Sequence, residues 1–454
     1  MTNRRRDAWL VLAVALLARG VVIAWAHGRF PPTGDGYYYD ILAHRLAAGA
    51  GYTWPWPDGT VTYAAHYPVG FPALLAAGYV LFGPSDIVAM TLAALLGAAS
   101  AYAAHRLVDR VGEPRWRPMA AGLVVALHPA LAPYTAACMT EGVTAALLVL
   151  ATAAASRARS TSGWGPVLAV GAVMAAATLV RPQSLLLAPV LGALSLGADA
   201  KLGARVARAS VVILIALACI APWTARNCVR MRRCALVSLN GGWNLLIGAT
   251  TSTGGWQPIS VPSSCAAVWD EAEKDACFER AAVHLIAQDP EAWVSRAPAK
   301  VSMTLDYFGA APWYLNASNG ALFGARSKMV LGVVETIASR LLLLGALVAC
   351  ANFEGRRRSA RRFVALLGAA SALTLHGSIG YIAIFACVGL LGWRAVLRMP
   401  TVVPACAAVI LATVVVHAAF FGSGRYGLIV APFVAVLACV GGRLSSPPGG
   451  AACV

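Results

Sequence analysis

Charge is what this sequence has least of. Asp, Glu, Lys and Arg make up 12% of its 454 residues, and the acids among them number 19. A soluble globule of this size needs far more charge to cover its surface. Strict apolar–polar alternation is also missing, which argues against the strands of an outer-membrane barrel. No internal repeat is visible, no metal-ligand spacing occurs among the cysteines, and no dense acidic cluster is present. No obligate metal is therefore expected, and no cofactor is predicted.

Apolar residues are abundant instead. They form 59% of the chain, with a mean hydropathy of +0.69. They fall in blocks long enough to span hydrocarbon, separated by short Arg-rich breaks. In lipid each backbone N–H and C=O must pair inside its own segment, so such blocks must be helices. The expected fold class is all-α: a polytopic transmembrane bundle of about twelve spans.

Basic residues outnumber acids, 36 to 19, for a net charge of +17. The arginines sit largely between spans, where positive-inside bias places them. Anionic membrane lipids are the nearer partner, and no nucleic acid is expected. Arg4, Arg5 and Arg6 put the N-terminus in the cytoplasm. The first block, Ala8–Ala26, is too long for a signal-peptide core and reads as a retained span.

The later blocks follow in order. Tyr67–Gly83 is short and Pro-rich at its start, and reads as a re-entrant or interfacial helix. Spans are expected at Asp86–His105, Met119–Pro133, Gly142–Ala155, Pro166–Val180, Ser184–Gly197 and Ser210–Pro222. After a long polar stretch come Met329–Cys350, Phe363–His376, Ser378–Trp393, Thr401–Phe421 and Tyr426–Val440, then a short Ser/Pro/Gly tail. Were Tyr67–Gly83 a full crossing, every later basic loop would face outward, so charge favours the re-entrant reading. The expected division is 1–222, a transmembrane core with a catalytic loop at 27–83; 223–328, an extracytoplasmic loop domain; and 329–454, C-terminal transmembrane helices. Within the loop domain, Ala266–Gln288 and Pro290–Phe308 have helical spacing.

Four of the eleven cysteines, Cys228, Cys234, Cys265 and Cys277, lie in that outer loop. Four cysteines allow three pairings, and proximity favours Cys228–Cys234 and Cys265–Cys277. The other cysteines lie mostly in spans and read as small apolar residues.

Ionisable groups collect at the predicted outer ends of the spans: Asp35, Asp40, His66, Glu141, Arg181, Arg226 and Arg425. Charge next to hydrocarbon is costly, which makes such groups functional candidates. Asp35 lies between Gly34 and Gly36, on what reads as an accessible turn before a short helix from Asp40 to Ala48. A carboxylate there can take a proton from a hydroxyl, or it can cap the helix. Glu141, taken on its own, reads as a helix cap or a packing residue. Arg181, Arg226 and Arg425 can snorkel, or can clamp a lipid phosphate by forked hydrogen bonds. His66 can bind phosphate or sit at the interface. Trp54, Trp56, Tyr63 and Tyr67 can stack on a sugar or form an aromatic belt. Arg19, inside the first span, can snorkel or pair with Asp86. Asn316-Ala317-Ser318 fits a short glycosylation pattern.

In this order the motifs resemble the GT-C glycosyltransferases. The branch is the one related to dolichyl-phosphate-mannose protein mannosyltransferases and the lipid A aminoarabinose transferase. The resemblance rests on GDGYYYDILAHRLAAG in loop 1, Tyr67–Pro72, Thr140-Glu141, Val180-Arg181-Pro182, Pro222-Trp223 with Arg226-Asn227, Asn240–Asn244 with Gly248, and Arg425-Tyr426. It implies interfacial helices in the first outer loop and an active site on the periplasmic side of a bacterial inner membrane. It further implies inverting transfer of a hexose or pentose from a polyprenyl-phosphate-linked donor. The acceptor would be a glycan, lipid or protein of the envelope. Asp35 would be the general base and Glu141 the second acid. Tyr38, Tyr39, His66, Arg181, Arg226, Arg425 and Tyr426 would hold the donor and its phosphate. The mannosyltransferases carry Asp-Glu in loop 1, whereas Asp35 here precedes Gly36.

The alternative is a transporter or flippase for a lipid-linked glycan. That function calls for repeat-related halves and polar groups at mid-depth. A non-catalytic scaffold would tolerate replacement of Asp35.

Overall fold

The computed structural model describes residues 3–161 and 163–441. The Ser/Pro/Gly tail, 442–454, lies outside the described residues.

The described residues are mostly helical, with one two-stranded hairpin among them. The first half holds α1 (Asn3–Ala26), α2 (Asp35–Ala47), α3 (Gly70–Phe82), α4 (Asp86–Asp109), α5 (Trp116–Leu127), α6 (Thr140–Arg159), α7 (Gly165–Val180), α8 (Ala188–Leu194) and α9 (Leu202–Arg230). The segment expected to lie outside the membrane holds α10 (Gly241–Thr250), α11 (Ser263–Ala266), α12 (Glu271–Gln288), α13 (Pro290–Ser295), α14 (Ala297–Leu305) and α15 (Ala310–Ser318). The last part holds α16 (Ala325–Asn352), α17 (Arg358–Ala372), α18 (Ser378–Gly389), α19 (Trp393–Arg398), α20 (Val402–Ala419) and α21 (Ala431–Ala438).

Among the described residues six helices are long and apolar enough to cross a membrane: α1, α4, α6, α9, α16 and α20. They answer to six of the twelve expected spans. The others are shorter. At 1.5 Å per residue a helix such as α5 reaches about 18 Å of a core roughly 30 Å thick. The expected spans at Ser184–Gly197 and Tyr426–Val440 are each divided into a 3₁₀ stretch and a short α-helix, with prolines at Pro182, Pro189 and Pro432. By contrast α9 continues through Pro222 to Arg230. Leucines and valines such as Leu17, Val21, Leu214 and Leu341 stay exposed on the long helices, as a surface facing acyl chains requires.

Helix direction is set by pairs at both ends. Arg4 meets Asp109 at 2.5 Å, joining the start of α1 to the end of α4. His27 meets Asp86 at 2.9 Å at the opposite ends of the same two helices. The basic breaks gather at the first of these ends. There Arg115 grips Asp7 with two bonds of 2.6 and 2.7 Å. Arg205 and Arg361 donate to carbonyls at the ends of α8 and α16, where a cation opposes the helix dipole.

Helix α3 does not break this alternation. It starts with Gly70 packed on the Leu179–Val180 backbone at the end of α7, and the chain then passes to Asp86 beside His27. Both of its ends therefore lie at the same face, as the charge pattern requires. The hairpin pairs Thr53–Pro55 with Val61–Tyr63 and sits over the end of α9. The outer segment packs α10 on α12 around Phe278, and Cys265 and Cys277 are bonded across it. Cys228 and Cys234 are bonded just beyond, at the end of α9.

Candidate active site

The helix expected to begin at Asp40 begins at Asp35. Gly34 supplies the turn, with φ of 57° in the left-handed region. Gly36 permits close approach: a Cβ there would meet the Cys138 carbonyl oxygen at 2.7 Å. Asp35 is therefore held in a first helical turn rather than on a flexible loop. Its carboxylate is met by the Tyr67 hydroxyl and by Arg425.

It faces Arg425. Arg425 Nη1 lies 2.6 Å from Asp35 Oδ2, while its Nε lies 3.4 Å from Glu141 Oε1. Arg425 Nη2 donates to the Tyr426 hydroxyl at 3.2 Å. Gly422 and Gly424 let this segment press on the backbone of Lys300, Tyr307 and Phe308, which leaves no room for a Cβ. The backbone under Arg425 is thus fixed.

Glu141 opens α6 and is fully buried. Arg181 Nη2 donates to its Oε1, and the Tyr134 hydroxyl donates to its Oε2 at 2.8 Å. Arg181 Nε donates to Thr140 Oγ1 at 3.1 Å. Arg181 occupies the end of α7 because Pro182 cannot continue the helix and biases the preceding residue to extended backbone. Tyr426 lies under both arginines, 4.7 Å from Arg181 and 5.0 Å from Arg425, and stacks on His417. Four charged side chains from α2, α6, the end of α7 and the turn after α20 thus form one cluster.

Burial alone would push the Asp35 carboxyl up. Arg425, then Arg181 and His66, hold it below the usual carboxylate range. Burial pushes the His66 imidazole down, against the pull of Asp35. His66 stands edge-on to Tyr67 and Trp243. The Tyr67 hydroxyl reaches Asp35 Oδ1 at 3.4 Å. Tyr38 stacks between Tyr67 and Trp54, and Tyr39 is buried with its ring edge-on to Tyr67 and Phe71.

Other predicted residues lie apart. Arg226 donates to the carbonyls of Ala64 and Tyr52 at 2.9 and 2.8 Å and stacks on Trp223. Those bonds tie the hairpin loop to α9. Asp40 accepts from Tyr79 at 2.7 Å. Arg19 neither snorkels nor pairs with Asp86: it is buried, and donates to the Ala126 carbonyl at 2.9 Å near the end of α5. Trp56 donates to Thr62 across the hairpin.

Tyr134 and His417 belong to the cluster and were not expected, and Thr140, named only as part of the Thr140-Glu141 motif, joins them. The signal for His417 was present, an ionisable ring inside an apolar block. A small pocket beside Arg181 lies between α6, α20 and the stretch after α7. Thr144, Leu148, Leu187, Val409, Val416 and His417 line it. Among the described residues no group of three or more His, Cys, Asp or Glu could hold a metal ion.

No family model matches the chain, and no curated protein sequence matches it. Among solved structures it is similar to apo ArnT from Cupriavidus metallidurans, at TM-score 0.40 and 17% identity over 94% of this chain and 76% of that one. The same enzyme bound to undecaprenyl phosphate is similar at TM-score 0.38 and 16% identity, over 94% and 77%.

Proposed function

We propose that this protein is an inverting membrane glycosyltransferase that uses a sugar carried on a polyprenyl phosphate. It acts at the periplasmic face of a bacterial inner membrane and glycosylates an envelope acceptor. The observation that carries this reading is the convergence of Asp35, Arg425, Glu141 and Arg181 in one cluster. The ordered motifs that resemble GT-C enzymes point the same way. The side follows from the basic loops, which lie at the opposite end of the bundle and mark it as cytoplasmic.

The chemistry balances with one carboxylate. The acceptor hydroxyl attacks the anomeric carbon and passes its proton to Asp35. The bond from that carbon to the phosphate oxygen breaks, and the polyprenyl phosphate leaves with the electron pair. Arg181 and Arg425 meet the charge that develops on the leaving phosphate. Glu141 holds both arginines in place. A flippase would call for polar groups at mid-depth, whereas these lie at one face.

The test uses membranes containing the protein, with labelled polyprenyl-phosphate hexoses and pentoses. Sugar transfer with release of free polyprenyl phosphate is expected from at least one donor. No transfer from any of them would contradict the proposal.

A further inference from the structure

The resting cluster is electrically complete. Two carboxylates, Asp35 and Glu141, face two guanidiniums, Arg181 and Arg425. A donor phosphate entering between them must take a cation that a carboxylate already holds.

The two arginines are not equally held. Arg181 is buried, bound to Glu141 and Thr140 and packed on Tyr426. Arg425 is more open, with 23% of its side chain exposed, and its partner Asp35 is 31% exposed. Its bond to Glu141 is long, at 3.4 Å. Because Gly422 and Gly424 fix the backbone, only the Arg425 side chain is left to move.

We propose that Arg425 is a shared arm. The donor phosphate draws its guanidinium away from Asp35, so the carboxylate is freed for the acceptor only when the donor is in place. This rests on the lipid-phosphate reading above. A carboxylate bound to an arginine is a poor base, and release restores its basicity. The arm therefore orders the reaction, donor first and acceptor second. Glu141 stays with Arg181 and Tyr134 throughout and keeps the site assembled.

The charged and titratable groups facing Asp35 are Arg425, Arg181, His66, Tyr67 and Tyr39, with Glu141 behind Arg425. Freeing Asp35 raises its proton affinity. Between the clamped and the freed carboxyl values, the donor complex holds a proton that the free enzyme lacks. Phosphate affinity then rises as the solution is acidified through that window, by up to about tenfold for each pH unit the window spans.

The experiment measures binding of a detergent-soluble short-chain polyprenyl phosphate to the full chain between pH 4.5 and 8. It compares wild type, Asp35→Asn, Arg425→Gln and the double variant, so the phosphate's own ionisation cancels. At neutral pH Asp35→Asn is expected to bind severalfold more tightly than wild type, because it no longer competes for Arg425. The gain disappears in the Arg425→Gln background and at low pH. An equal gain in both backgrounds, or no gain, overturns the shared arm. Asp35→Ser replaces the amide variant if that one does not fold. No binding to wild type at any pH overturns the lipid-phosphate reading itself.

Discussion

Arg425 and Asp35 lie near opposite ends of the sequence, yet a guanidinium nitrogen of one sits 2.6 Å from a carboxylate oxygen of the other. The contact joins the first outer loop to the last turn of the bundle. Glu141 and Arg181 complete the same cluster from the middle of the chain.

Glu141 should matter for stability as well as activity. It is fully buried and bound to Arg181, Tyr134 and Arg425. Removing one partner of a buried charge pair costs roughly 3–5 kcal/mol. Glu141→Ala should lower the melting temperature strongly and abolish transfer. Glu279 pairs with Arg233 at 2.8 Å but is half exposed, and exposed pairs contribute about 0–1 kcal/mol. Glu279→Ala should melt close to wild type. Thermal unfolding of both variants in the same detergent checks this.

The link between the outer segment and loop 1 should depend on pH. Glu271 accepts from the Ala65 N–H at 2.6 Å, and burial pushes its carboxyl up from 4.5 to about 7. The folded state thus holds this proton more tightly than the unfolded chain. Its contribution is fully present below about 4.5 and is lost as pH rises towards 7, a change of order 1–3 kcal/mol. The melting temperature of wild type relative to Glu271→Gln should fall across that range. Parallel curves would contradict the assignment.

The four outer cysteines should resist alkylation until reduced. Eleven cysteines less the four in the two bonds, Cys228–Cys234 and Cys265–Cys277, leaves seven. Denatured, unreduced protein should take seven alkyl groups by mass spectrometry, and eleven after reduction. Eleven before reduction would contradict both bonds.

Opposite faces should be labelled from opposite sides. Asp58 lies between the hairpin strands and Arg356 lies in the basic break after α16, both exposed. In a background with the other cysteines replaced, Asp58→Cys should react with an impermeant maleimide from the periplasm. Arg356→Cys should react only after the membrane is opened. Reaction of both from one side would overturn the orientation.

Much of this architecture was legible in the residues. Charge between apolar blocks gave the helix directions and the fact that α3 returns to its starting face. The cost of charge beside hydrocarbon singled out Asp35, Asp40, His66, Glu141, Arg181, Arg226 and Arg425, and Asp35, Glu141, Arg181 and Arg425 converge in one cluster. What spacing does not carry is tertiary pairing. Arg226 looked like the other arginines, but its donors are taken up by Ala64 and Tyr52. Arg19 has the same intramembrane signature as a functional charge and instead binds a carbonyl near the end of a short helix. Gly34 and Gly36 suggested a loose turn. One is needed for a positive φ and the other for contact with Cys138, and both serve to fix Asp35.

The most direct test of the account compares wild type with Asp35→Asn in membranes given labelled polyprenyl-phosphate sugars. A general base contributes typically 10²–10⁴-fold. The variant should therefore lose about that much of its turnover while still binding the polyprenyl phosphate. Equal transfer by the two proteins would remove Asp35 as the base and contradict the mechanism built on it.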